Sequence, residues 1–185
     1  MSLSTNQGPQ KKPKKITKVR LKNIGLYYLE RYESSVQKLR DVLRRRIDKY
    51  AFANPEIDKQ SLYALADEVI AEFETLGYVS DSRFAALKVR DYLSAGKSAR
   101  YIKTKLKLQG IDEQMVDSLI QQSDYDPFEA AKLFAKKKHI GPYRTSSDLK
   151  QQNFKKDMAT LLRAGFDYDI VCDVLKIEPS SDIEF

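Results

Sequence analysis

Two stretches of this 185-residue chain share one grammar at an offset of 55 residues. "LQGIDEQMVDSLI" (108–120) and "RAGFDYDIVCDVL" (163–175) each read as a helix end, a glycine, one large apolar residue, an aspartate and a short amphipathic helix. Glycine suits the left-handed position just past a helix, and aspartate two residues later is a strong N-cap. A helix–turn–helix written twice constrains the chain to helices packed on helices. Seven Gly and six Pro are few for this length, and no run of alternating β-branched residues lies between turn residues. The sequence therefore predicts an all-α protein.

Read in order, residues 1–16 form a polar, Lys-rich extension expected to be disordered. Thr17 is a candidate N-cap for a helix with Leu21, Ile24, Tyr28 and Tyr32 on one side. A second helix from about Ser34 carries Leu39, Leu43, Ile47 and Tyr50. Asn54–Pro55 interrupts before a third helix ending at Gly77, where Tyr78 is expected to fold back on the last turn. The next unit starts at Asp81, turns at Gly96, continues through "SARYIKTKLKLQ" to Gly110, and resumes at Asp112. After "SDYDP" come "PFEAAKLFAKKKHI", a "GPYRTSSDL" connection, "LKQQNFKKDMATLLRA", Gly165 and "DYDIVCDVLK". The expected organisation is three tandem three-helix repeats at 17–78, 79–123 and 124–176, with an acidic tail at 177–185. A unit of about 40 residues buries too little on its own, so neighbours must support one another.

Charge is segmented. Net charge runs +10 over residues 1–50, −5 over 51–87, +6 over 88–107, −6 over 108–131, +7 over 132–163 and −5 over 164–185. The first and second helices of each unit lean basic and the third is acidic. Arg100, Lys103 and Lys107 fall within about 60° on one helix, while Ala99, Ile102 and Leu106 fall elsewhere, toward a core. Such a pattern fits a polyanion or an acidic protein groove, and equally a set of solvated faces. A duplex-reading helix-turn-helix is disfavoured. Its recognition helix would open with Asp112, Glu113 and Asp117, or with Asp167, Asp169 and Asp173, against phosphates.

Little in the chain resembles chemistry. "AGKS" (95–98) looks like the end of a phosphate-binding loop, but the glycine required five residues before Gly96 is Asp91, and a helix precedes it. His139, the one histidine, supports no His-based triad or multi-His metal site and is expected at a surface or capping position. Cys172, the one cysteine, is expected as a small core residue and suits a reducing compartment. Tyr28, Tyr32, Phe84, Tyr92 and Phe134 keep helical spacing and are expected to pack in cores. No run is long enough to span a bilayer, and the start lacks a secretory core. The expectation is a cytoplasmic binding protein with no catalytic residues, no cofactor and no metal.

Five segments follow in order: "NIGLYYLERYESSVQKLRDVLRRR" (23–46), "LGYVSDSRFA" (76–85), "VRDYLSAGKSARYIKTKLKLQGID" (89–112), "AKKKHIGPYR" (135–144) and "KKDMATLLRAGFDYDIVCDVL" (155–175). Together they resemble the RecX family, bacterial regulators of the RecA recombinase. The resemblance implies three tandem three-helix repeats in an elongated, curved molecule. It implies binding in the groove of the RecA–single-stranded DNA filament, impeding ATP hydrolysis, strand exchange and co-protease activity. Two departures stand out. Family members often carry Gly-Pro where this chain has Ser98–Ala99, so Ser98 is expected to cap that turn instead. The first unit also carries an insertion through "AFANPEIDKQSLYA".

Charge segmentation and resemblance together name candidate contacts to the partner or to DNA. They are Arg44, Arg45, Arg83, Arg90, Lys97, Arg100 and Lys103, continuing with Lys107, Lys136, Lys137, Arg144, Lys155 and Lys156. The basic first and second helices would face acidic recombinase surface and DNA, and the acidic third helices basic recombinase residues. The expected partners are the RecA nucleoprotein filament and, more weakly, single-stranded DNA alone, with no membrane and a monomeric protein. The alternative is a general nucleic-acid-binding protein using its basic helical surface. Capping of filament ends and blocking of the groove both stay open.

Overall fold

Helix starts are written in the caps. In this computed structural model, which describes residues 14–145 and 147–176, Thr17, Ser35, Asp58, Ser98, Asp112 and Asp126 each accept a backbone N–H two or three residues ahead. They open α1 (Lys18–Leu29), α2 (Val36–Phe52), α3 (Lys59–Thr75), α5 (Ala99–Lys107), α6 (Glu113–Gln121) and α7 (Pro127–Lys138). α4 (Asp81–Ser94), a 3-10 turn (Gly141–Tyr143), α8 (Ser147–Arg163) and α9 (Tyr168–Lys176) complete the described residues, among which there is no strand. None of these helices is long and apolar enough to cross a membrane.

The repeated grammar folds as a repeated turn. Gly110 and Gly165 have φ of 80° and 90°, in the left-handed region open to glycine. The following Ile111 and Phe166 N–H groups return to the carbonyls of Leu106 and Leu161 at 3.1 and 3.3 Å. At the end of α3, Tyr78 folds back as expected: its N–H reaches the Phe73 carbonyl at 2.9 Å, and its ring meets the Phe73 ring edge-on at 5.5 Å.

Among the described residues, three hydrophobic cores result. α1, α2 and α3 enclose Leu21, Leu39, Leu43, Ile47, Val69, Ile70 and Phe73. Gly25 permits a close α1–α3 approach, since a Cβ there would lie 2.6 Å from Phe73 Cε2. α4, α5 and α6 enclose Phe84, Val89, Ile102, Leu106 and Val116. α7, α8 and α9 enclose Ala131, Ala135, Leu161, Phe166, Val171 and Val174. Burying each large aliphatic side chain contributes about 1.5–3 kcal/mol, so cores this small gain from a neighbour. The chain divides after Ser80 into two compact units, and the second holds both of the later bundles. Tyr125, in their connection, packs against both of these cores.

Some expectations are corrected. The second helix starts at Val36, with Ser34 and Ser35 buried ahead of it. Tyr32 lies beyond α1 and is 58% exposed, whereas Phe84 is buried and Tyr28, Tyr92 and Phe134 pack at core edges. Cys172 is half-buried, outside the core. Ile16, assigned to the extension, is buried in the first core. The helix read from "LKQQNFKKDMATLLRA" starts at Ser147, two residues before Leu149. His139 caps α7 as expected, in the left-handed conformation at φ 51°. Most of the N-terminal extension (1–13) and the acidic tail (177–185) lie outside the described residues.

Candidate interaction surface of the second and third bundles

Much of the charge segmentation closes on itself. In the first unit, Lys18 meets Glu68 and Glu72 at 3.0 and 2.7 Å, and Lys22 also meets Glu72. Arg40 and Arg44 reach Asp67 at 2.8 and 3.5 Å. In the second bundle, Lys103 meets Asp117 at 2.5 Å and Lys107 meets Glu113 at 3.5 Å. The acidic helices α3 and α6 therefore each pair with several cations of their own bundle. Exposed pairs of this kind contribute about 0–1 kcal/mol each to stability. Their larger consequence is to decide which cations stay available.

The third bundle pairs differently. Asp157 is 1% exposed and takes both edges of the Arg144 fork, at 2.8 Å to Nε and 2.6 Å to a terminal nitrogen. It also accepts the Gly141 N–H at 2.8 Å. Burial pushes the Asp157 carboxyl up, but the guanidinium and that N–H outweigh it and hold the group below the usual carboxylate range. Arg144 thus anchors the 3-10 turn to α8.

Among the described residues, Lys97, Arg100 and Arg163 are cations without an ion pair that lie where the second and third bundles meet. Ser98, 2% exposed, caps α5 through the Tyr101 N–H at 3.1 Å and donates its hydroxyl to the Ala164 carbonyl at 2.6 Å. The Tyr125 hydroxyl accepts the Ala99 N–H at 3.0 Å, and the Lys137 ammonium donates to the Ser94 carbonyl at 3.4 Å. A Cβ on Gly165 would stand 2.7 Å from Ser98 Oγ and 3.2 Å from Arg100 Cβ, so the repeated turn of the third bundle seats directly on the start of α5. Beside this seam lies a cleft of 390 Å³ lined by Lys97, Tyr101, Phe134, Thr160 and Arg163. The Lys97 ammonium sits 5.0 Å from the Tyr101 ring centre and 5.7 Å from that of Phe134, and Lys105 covers Tyr101 at 5.6 Å. Among the described residues, Lys97, Arg100 and Arg163 have no carboxylate within ion-pair distance.

The remaining expected contacts are dispersed. Arg45 is exposed in the first unit, its Nε donating to the Asp41 carbonyl, while Arg44 leans on the Tyr63 ring at 4.9 Å. In the second unit, Arg83, Arg90, Lys136, Lys137, Lys155 and Lys156 are exposed. Arg90 borders a second groove of 910 Å³ floored by Val89, Leu93, Leu119 and Leu133 and rimmed by Asp124, Asp126 and Glu129. Arg163 and Lys105 were not among the residues singled out from the sequence. The run "LLRAG" marked a helix end, but only the seating of Gly165 on Ser98 brings Arg163 beside Lys97.

Comparison with known proteins bears on the same segments. Residues 80–119 match the model of RecX, second three-helix domain. The regulatory protein RecX of Myxococcus xanthus (strain DK1622) is 32% identical over 177 residues, spanning 94% of this chain and 93% of that protein. The chain belongs to the RecX family. The regulatory protein RecX of Agrobacterium fabrum is 26% identical over 166 residues, covering 88% of this chain and 86% of its own. The crystal structure of RecX from Lactobacillus salivarius superposes with a TM-score of 0.59 at 23% identity, covering 86% of this chain and 94% of that one, and establishes the shared RecX fold.

Proposed function

We propose that this protein regulates a RecA recombinase by lodging in the groove of the RecA–single-stranded DNA filament. It does so as a cytoplasmic monomer, without a reaction of its own. One observation carries the reading: Lys97, Arg100 and Arg163, drawn from two bundles, stand at a seam fixed by buried hydrogen bonds, with no carboxylate partner among the described residues. Cations left unpaired on a rigid frame suit a regular array of negative charge, such as a filament groove lined by acidic side chains and DNA phosphates. Occupying that groove would obstruct incoming duplex and repressor and resist the subunit motions of ATP turnover. Arg45, Arg83, Arg90, Lys136, Lys155 and Lys156 would extend the contact as exposed flanking charges.

The test is recombinase ATPase on single-stranded DNA, titrated with this protein. Saturable inhibition supports the reading, and unchanged turnover with the protein in excess contradicts it. Naked single strands bound as tightly as ATP-loaded filaments, with a steep salt slope, would instead support general nucleic-acid binding.

A further inference from the structure

The cleft of Lys97 and Arg163 has a candidate occupant within the same chain. α9 ends at Lys176, and its Leu175 packs onto the turn after α7, where a Cβ on Gly141 would meet Leu175 Cδ2 at 2.5 Å. The chain therefore leaves α9 beside the C-terminal end of α7. Phe134, one wall of the cleft, lies seven residues before Gly141. α7 ends at Lys138, four residues beyond Phe134, about 6 Å along the helix axis. The nine residues after α9, "IEPSSDIEF", can span about 30 Å when extended. Reach is ample.

Charge and shape agree. The tail carries Glu178, Asp182 and Glu184 and no cation. The route along the last turn of α7 is lined by exposed Lys136, Lys137 and Lys138, and it ends at Lys97 and Arg163. The cleft is walled by the Tyr101 and Phe134 rings, a surface suited to Ile183 or Phe185 between carboxylates. The groove bordered by Arg90 is a poorer match, because Asp124, Asp126 and Glu129 on its rim would repel the tail.

We propose that residues 177–185 dock along α7 into the cleft between the second and third bundles, occupying the cations that the regulated partner uses. The tail is then a built-in competitor, and it holds the free protein in a lower-affinity state until the partner's denser negative charge displaces it. The competition, though not the docking, rests on the filament reading above.

Lysine acylation followed by mass spectrometry tests the docking in the full chain without any recombinase. In the E178Q/D182N/E184Q variant, Lys97 and Lys137 should be modified several-fold faster than in the parent protein, with Lys49 on α2 as an unaffected control. A synthetic peptide of residues 177–185 should restore the slower rates. Unchanged Lys97 and Lys137 rates overturn the docking. Protection that grows with protein concentration overturns it as well, because the tail of a second copy would then be the occupant. If the variant is modified faster, filament binding is the second reading. Tighter binding supports the competition, and unchanged binding leaves the docking standing while removing the cleft from the filament contact.

Discussion

The hydroxyl of Ser98 donates to the carbonyl of Ala164 across 66 positions of sequence, at 2.6 Å. The same oxygen accepts the Tyr101 N–H and so starts α5. One buried atom therefore caps a helix in the second bundle and holds the end of a helix in the third. Ser98→Ala should lower stability by about 1–2 kcal/mol in urea unfolding, the sum of a lost cap and an orphaned carbonyl. Gly165→Ala should cost more, about 2–4 kcal/mol, because φ is 90° and the new Cβ would press on Ser98 Oγ. Wild-type stability in the alanine variant at 165 would contradict this packing.

Asp157 gives a pH signature. Its folded pKa lies below the ordinary value, so the unfolded chain takes up the proton first as pH falls. Its contribution is complete above about pH 4, the unfolded carboxyl range, and is lost as pH drops through the lower folded value. Asp157→Asn should destabilise by about 2–3 kcal/mol at pH 7, since Arg144 keeps some solvent exposure. The gap from wild type should narrow below pH 4. A gap that stays constant from pH 7 to pH 3 would contradict the assignment.

Tyr125 joins two cores through its ring and α5 through its hydroxyl. Desolvation is the main influence on the phenol and raises its pKa; the Ala99 N–H opposes it. Tyr125→Phe keeps the ring and loses one hydrogen bond, with an expected cost of about 1 kcal/mol. Tyr125→Ala should remove far more, about 3–5 kcal/mol by analogy with other large aromatic truncations. Equal stabilities for the two variants would contradict the dual packing.

Local grammar was legible in the sequence wherever one residue type has one structural use. Thr17, Ser98 and Asp112 read as caps, Gly110 and Gly165 as equivalent turns, and Leu39, Leu43 and Ile47 as a core stripe, and the structure agrees on each. The surface was harder to read. Arg100, Lys103 and Lys107 share a helix face, but α6 brings Asp117 and Glu113 against two of them, leaving Arg100 open. Arg144 looked like one more exposed cation until Asp157, 13 residues later, closed on it. Helical period fixes which side a charge occupies, whereas its freedom depends on what the neighbouring helix carries. Tyr32 was misplaced for a simpler reason: α1 ends at Leu29, one turn before its stripe would have reached that ring.

Filament binding by variants of paired and of unpaired cations, as the described residues show them, measures directly which charges contact the filament. Lys97→Glu/Arg100→Glu/Arg163→Glu should bind ATP-loaded recombinase filaments at least about tenfold more weakly, since each exposed charge contributes about 0.5–1 kcal/mol and reversal adds repulsion. The loss should shrink as salt rises. Lys103→Gln/Lys107→Gln, whose cations already face Asp117 and Glu113, should bind within about threefold of wild type, less than 0.7 kcal/mol. Wild-type affinity in the folded triple variant, or an equal loss in the paired one, would contradict the central claim.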